Sequence, residues 1–146
     1  MFALPLHQLA RVFLMLASPE IIREPALARA ARRNLDAIHA APAMVGGFNH
    51  FSEILCADLN LIAKDGALGV LLIGLRAERL GIAIRVVDGS HGLLPLLALS
   101  ALRQLHYANS DTLSAIAARY PKHIVNDNGH VVGHIEIPFQ FQAGAR

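Results

Sequence analysis

Cysteine is almost absent from this sequence, and tryptophan is absent altogether. The one cysteine among the 146 residues is Cys56. A single thiol excludes a disulfide within the chain and a metal cage built from several thiolates. It fits a reducing compartment, so we expect a cytoplasmic protein, and we expect Cys56 to be a small buried apolar side chain.

Charge is sparse and nearly balanced. Lys and Arg number 13 against 11 Asp and Glu, which leaves a net charge of +2. That excess is too small to favour nucleic acid as a partner. The arginine cluster at residues 29–33 is expected on the solvated face of a helix.

Long apolar runs are missing, although 54% of the residues are hydrophobic. A membrane-spanning helix needs about 20 consecutive apolar residues, and the longest runs, 67–75 and 93–99, are far shorter. The opening MFALPLHQLARVFLMLA has no basic start and carries Arg11 inside its apolar stretch, unlike a signal peptide. We therefore expect no membrane partner, and we expect the apolar surplus to face another chain.

Apolar residues recur at intervals of three and four in the first 40 positions, which predicts two helices. The first should end before Ser18, and the second should begin near Pro25 and end near Pro42. Their apolar faces consist of Leu6, Leu9, Val12, Phe13 and Leu16, and of Leu27, Ala31, Leu35 and Ile38. Residues 44–50, MVGGFNH, are expected to form a glycine loop, followed by a short helical turn.

Three runs rich in Val, Ile and Leu follow, at residues 59–64, 69–75 and 82–87. They are nearly continuous, as in strands that are covered on both faces. The short connections between them predict antiparallel pairing.

The remaining sequence predicts two more helices and a hairpin. One helix should begin near Ser90, the next should be capped by Ser110 or Asp111, and Asn128-Gly129 predicts a hairpin turn. Helices, then strands, then helices and a hairpin describe one α+β domain over residues 1–146, with helices packed on an antiparallel sheet.

Lys64-Asp65-Gly66 interrupts the apolar pattern and allows two interpretations. Asp-Gly favours a two-residue hairpin turn, which would make Lys64 a solvated flank. Alternatively, Lys64 lies on a strand at the rim of an active site, where Gly66 lets a ligand approach the backbone. The pattern alone does not decide between them. A turn at residues 64–66 would place Ala63 opposite Leu68.

Three segments in order resemble the C-terminal half of the L-asparaginase II family. They are LIAKDGALGVLLIGL, LGIAIRVVDGS and IVNDNGHVVGHIEI, and the first helix and GGFNHFSEIL are similar as well. The resemblance implies the C-terminal part of a serine-β-lactamase-like fold and hydrolysis of asparagine to aspartate and ammonia. It implies that Lys64 is catalytic and that Lys64 and Gly66 bind the substrate.

The sequence also departs from that family. His50 stands where the family has arginine, Ser52 where it has aspartate, and Leu68 where it has glutamate. Asp88 keeps its place, although a turn residue before a helix explains it as well. A charged bidentate group is lost at each of the three changed positions.

The family's nucleophile belongs to a Ser-x-x-Lys motif, and none of the serines here has a lysine three residues on. The chain therefore resembles the second half of an enzyme, which would be inactive alone. We expect either an N-terminal partner chain or a homo-oligomer that covers the apolar face of the first helix. The alternatives are a non-catalytic interaction or remnant domain, and an unrelated α+β domain that binds a membrane surface or an apolar ligand.

Histidine is frequent, with eight residues. If Asn128-Gly129 is a two-residue turn, His123 faces His134 across the hairpin. Such a pair could bind a metal or repel when protonated, but two ligands rarely make a site. We expect no metal and no cofactor.

Overall fold

The computed structural model describes residues 3–142, and the chain divides between Leu94 and Pro95 into two compact units. The helices are α1 Leu6–Ala17, α2 Pro25–Ala40, α3 Ala43–Gly46, α4 Phe51–Ala57, α5 Leu94–Gln104 and α6 Ser110–Arg119. The strands are β1 Leu61–Gly66, β2 Val70–Leu75, β3 Leu80–Arg85, β4 His123–Val125 and β5 Val131–His134. The predicted α+β class is confirmed, while the single domain over residues 1–146 stays a prediction.

Membrane crossing was not expected from the sequence. No helix among residues 3–142 has the length and apolar character needed to cross a membrane.

The first unit is built on an antiparallel sheet in the order β1-β2-β3. Ala63 pairs with Ile73 and Lys64 with Leu72, so β1 continues through Gly66 and the turn comes after it. The interpretation of residues 64–66 as the turn is therefore wrong, and Lys64 lies on a strand. The first positions of β1 are buried in succession, as expected for a strand covered on both faces.

Helix α1 lies across β2 and β3, and glycines allow the close approach. A methyl group at Gly81 would overlap the carbonyl oxygen of Ala10, and one at Gly74 would overlap that of Phe13. The helix backbone therefore rests directly on the sheet, as close as the main chains allow.

The apolar row of α1 is less open than the sequence suggested. Phe13 and Leu16 pack against a buried cluster of Ala17, Leu35 and Ile62. The expectation of an exposed apolar patch is thus wrong for Phe13 and Leu16, whereas Leu6 and Val12 of the same row are exposed. Association into a homo-oligomer stays a prediction.

The second unit contains α5, α6 and the terminal hairpin. Asn109 caps α6, because its side chain accepts from the main-chain N–H groups of Asp111 and Thr112. The predicted cap at Ser110 or Asp111 was therefore one or two residues late. Near the C-terminus, Gln104 ties the last turn of α5 to the extended segment by donating to the carbonyl of Phe139 over 3.0 Å.

Two loop predictions also need correction. The segment at residues 44–50 is only partly a glycine loop, since α3 runs to Gly46. The hairpin turn is longer than Asn128-Gly129: the side chain of Asn126 accepts from the N–H groups of Asn128 and His130, and the ladder has an irregularity between Ile124 and Val125. His123 nevertheless pairs with His134, as predicted.

Candidate active site

Lys64 extends from β1 and keeps its ammonium close to the strand. Nζ donates to the main-chain oxygen of Asp65 over 2.7 Å and lies 3.4 Å from Oδ1 of the same residue. The side chain is nevertheless 51% exposed. An ammonium has three donors, so Lys64 is held in place and still has capacity for a ligand.

Asp65 is the shielded partner of this ammonium, with a side chain only 14% exposed. The hydroxyl of Ser52 donates to Oδ1 over 2.8 Å. Burial raises the pKa of the Asp65 carboxyl, but the bond from Ser52, a main-chain bond and the positive charge of Lys64 outweigh burial and hold that pKa below its ordinary value. Asp65 is therefore a stable anion and a weak base at neutral pH.

Helix α4 positions Ser52 through its own N-terminus. His50 caps the helix, and its Nδ1 accepts from the N–H of Ser52 over 3.3 Å. The same Nδ1 lies 4.0 Å from Oδ1 of Asp65. Two neighbouring residues thus face the carboxylate from one helix end.

Cys56 anchors the other end of α4 to β1. Its thiol donates to the carbonyl oxygen of Ala63 over 3.3 Å, and its sulfur accepts from the N–H of Ala63 over 3.2 Å. Burial raises the pKa of the thiol. The prediction of a buried cysteine is confirmed, and a thiol in this state is a poor nucleophile.

A loop after β3 brings a second imidazole to the carboxylate. The turn at residues 67–69 packs on this loop, and Val86 N–H donates to the carbonyl of Gly69 over 2.8 Å. Asp88 then bends the chain by accepting from the N–H of Ser90 over 2.9 Å. Nδ1 of His91 consequently lies 4.0 Å from Oδ2 of Asp65.

Asp88 has the structure of a turn residue rather than of a member of the site. The hydrogen bonds from Ser90, the main-chain bond first, lower the pKa of its carboxyl. This supports the simpler of the two explanations that its sequence context allowed.

Gly66 follows at the end of β1. A methyl group there would meet only the side chain of Val70, at an ordinary 3.7 Å. Packing within the described residues therefore does not require glycine at this position, which leaves the approach of a ligand as a reason for it.

The side chains around Asp65 can bind a charged ligand, but they include no activated nucleophile. Ser52 is fully buried, and its proton points at a carboxylate of lowered basicity. A nucleophilic serine instead needs an adjacent base and access to substrate. Within residues 3–142, His, Cys, Asp and Glu side chains form no group of three that could hold a metal.

Sequence reasoning singled out Lys64 and Gly66, and left open whether they belong to a strand rim or to a turn, but it missed Asp65 and His91. Asp65 was weighed only as half of a turn, because its neighbours in space come from residues 13 and 26 positions away. His50 and Ser52 were noted as losses of charge, yet both contact the carboxylate of Asp65. The available signal was the polar pair Lys64-Asp65 within an apolar run, with His50 and Ser52 a short distance before it in the chain.

Comparison with known proteins adds evidence of a different kind. The chain matches the family model of L-asparaginase II over residues 1–137. No curated protein matches it. The family match confirms the resemblance of the ordered segments and excludes an unrelated α+β domain. With the match covering nearly the whole sequence, this chain belongs to the L-asparaginase II family.

Proposed function

We propose that this protein takes part in the hydrolysis of L-asparagine to L-aspartate and ammonia, with Lys64 binding the substrate beside Gly66. The family implies the reaction. The observation that carries the choice of residues is the pairing of a half-exposed ammonium with a shielded carboxylate, which lie 3.4 Å apart at the end of β1.

This pairing suits a free α-amino acid. Asparagine carries a carboxylate and an ammonium on one carbon, so recognition favours a cation and an anion side by side. In our proposal the α-carboxylate binds Lys64, and the α-ammonium binds Oδ2 of Asp65, because Oδ1 already accepts from Ser52. Gly66 leaves room for the rest of the substrate along the strand.

The nucleophile has to come from outside these 146 residues. The sequence contains no Ser-x-x-Lys motif, and Ser52 is buried. In the proposed reaction a serine of another segment or chain attacks the side-chain amide. The resulting acyl-enzyme is hydrolysed by water. Lys64 then acts as a substrate-binding and polarising residue.

Calorimetry on the pure chain tests substrate binding. L-asparagine should bind, and Lys64→Met should weaken binding about tenfold or more, the loss expected for one charge-assisted contact. Lys122→Met is the matched control, since Lys122 belongs to the second unit, and it should leave affinity unchanged. Succinamate, which lacks the α-ammonium, should bind more weakly than asparagine. Its affinity should be the same for Asp65→Asn as for the unmodified chain.

Ammonia release by the same preparation tests the second half of the proposal. Without a nucleophile the pure chain should release none at a useful rate. Ordinary turnover would show that the nucleophile lies within these residues. Absence of any asparagine binding would instead favour the alternative of a non-catalytic interaction or remnant domain.

A further inference from the structure

Two histidines face each other on the terminal hairpin, well away in sequence from Lys64, Asp65 and His91. The rings of His123 and His134 have centroids 5.4 Å apart and planes inclined by 71°. Their Nδ1 atoms are 3.3 Å apart. The rings therefore meet edge to face, and the two nitrogens lie within hydrogen-bond distance of each other.

The backbone fixes this pairing. His123 is directly opposite His134 in the ladder, and Ile135 N–H donates to the carbonyl of Lys122 over 2.8 Å. Hydrogen-bonded and non-hydrogen-bonded pairs alternate along an antiparallel ladder. The histidines thus form a non-hydrogen-bonded pair, the arrangement in which opposite side chains come closest.

The nitrogen spacing suits a tetrahedral metal ion. Two Zn–N bonds of about 2.0–2.1 Å at a tetrahedral angle place the nitrogens about 3.3–3.4 Å apart. A square-planar ion with similar bonds would need only about 2.8–2.9 Å. Without an ion, at least one Nδ1 must carry a proton to avoid two facing lone pairs.

We propose that Nδ1 of His123 and Nδ1 of His134 together bind one Zn²⁺, with water in the remaining positions. Imidazole is a preferred ligand of zinc. The pair opens on a surface hollow also lined by Lys122, Glu136 and Pro138, so an ion can enter from solvent. No third His, Cys, Asp or Glu completes a ligand set in the described part of the chain, which makes this a weaker site than a structural zinc centre.

Binding would also join the two strands of the hairpin. A two-stranded hairpin is only marginally stable by itself, and this one carries an irregularity in its ladder. An ion held by one residue of each strand would favour the paired state, because it binds the folded hairpin and not the open one.

Zinc titration of the untagged, chelator-treated chain tests the proposal. Calorimetry should show one Zn²⁺ per chain, and His123→Ala and His134→Ala should each weaken binding at least tenfold. His130→Ala is the matched control: His130 lies in the same hairpin, and its bonds to Asn126 are made by its backbone. It should bind zinc as the unmodified chain does.

Amide spectra of the same samples locate the ion. Zinc should shift the resonances of Ile124 and Gly133, which pair beside the histidines. His134→Gln, which retains a polar side chain in the strand, should keep the hairpin's resonances and still lose binding. Three outcomes would each overturn this site. They are zinc affinity unchanged in His123→Ala and His134→Ala, an equal loss of affinity in His130→Ala, and one Zn²⁺ shared by two chains.

Discussion

The hydroxyl of Ser52 donates to the carboxylate of Asp65 across 2.8 Å and so joins the first turn of α4 to β1. The family resemblance places an aspartate at position 52. In this protein Ser52 is neutral, and the carboxylate of Asp65 on β1 lies within hydrogen-bond distance of it. Position 52 therefore contacts a carboxylate, although its own side chain carries no charge.

Ser52→Ala should destabilise the protein by about 1–3 kcal/mol. The substitution removes a hydrogen bond to a charged group and leaves a shielded carboxylate with less solvation. Urea unfolding followed by circular dichroism measures the change. Ser114→Ala, an exposed serine on α6, should change stability by less than about 0.5 kcal/mol; equal losses in both variants would mean that the Ser52 bond contributes nothing special.

The free energy of unfolding should decrease as pH is lowered, and Asp65 should account for part of that decrease. Its pKa in the folded chain lies below the ordinary value of about 3.9, so the unfolded chain binds the proton first as pH decreases. The contribution is complete above the unfolded pKa and is lost as pH falls through the folded pKa. Urea midpoints measured from neutral pH downward should decline less steeply for Asp65→Asn.

The control for this pH series is Asp36→Asn, which changes an exposed carboxylate on α2. It should reproduce the acid profile of the unmodified protein. An Asp65→Asn profile parallel to that of the unmodified protein would show that Asp65 does not titrate differently on folding.

Gly81→Ala should cost about 1–3 kcal/mol or more. The added methyl group overlaps the carbonyl oxygen of Ala10, which belongs to a helix backbone and cannot move alone. Gly66→Ala is the control on the same sheet, since its methyl group has only an ordinary contact. Thermal unfolding should separate the two variants, and similar midpoints would contradict the close docking of α1.

Two adjacent substitutions in the turn between β1 and β2 should change the stability of the protein in opposite directions. Leu68 has φ of +60° and is mostly exposed, so Leu68→Gly should stabilise by about 0.5–1 kcal/mol after the entropy of glycine is counted. Gly69 has φ of +69°, and a methyl group there would lie 2.9 Å from Cβ of Val86. Gly69→Ala should therefore destabilise the protein. The denaturant midpoint should be highest for Leu68→Gly, intermediate for the unmodified chain and lowest for Gly69→Ala. The reverse order would refute the prediction.

Local patterns were sufficient to predict α1, α2 and the three antiparallel strands. The boundary of β1 was ambiguous because Asp-Gly is a turn signal by itself, whereas the sheet places the turn after Gly66. Pairing with β2 overrides the local preference, since every added ladder position satisfies main-chain groups. The cap of α6 was misplaced because Asn109, Ser110 and Asp111 are all good caps, and sequence alone does not rank three adjacent candidates.

The site was less predictable than the fold. Lys64 could be singled out as one charge in an apolar run. Its setting depends on contacts of Asp65 with Ser52 and His91, which lie on other elements. No periodicity encodes such contacts, because they arise only when α4 and the loop after β3 have packed on the sheet.

The docking of α1 has a consequence for the substitutions that this protein can tolerate. The main-chain carbonyls of Ala10 and Phe13 lie opposite Gly81 and Gly74, and the methyl group of Ala17 lies against Gly74 as well. A contact made by a carbonyl depends mainly on helix geometry, whereas Phe13, Leu16 and Ala17 are also constrained by the apolar cluster in which they pack. Substitutions at exposed positions of α1 should therefore leave this contact intact, whereas any side chain added at Gly74 or Gly81 would overlap the helix.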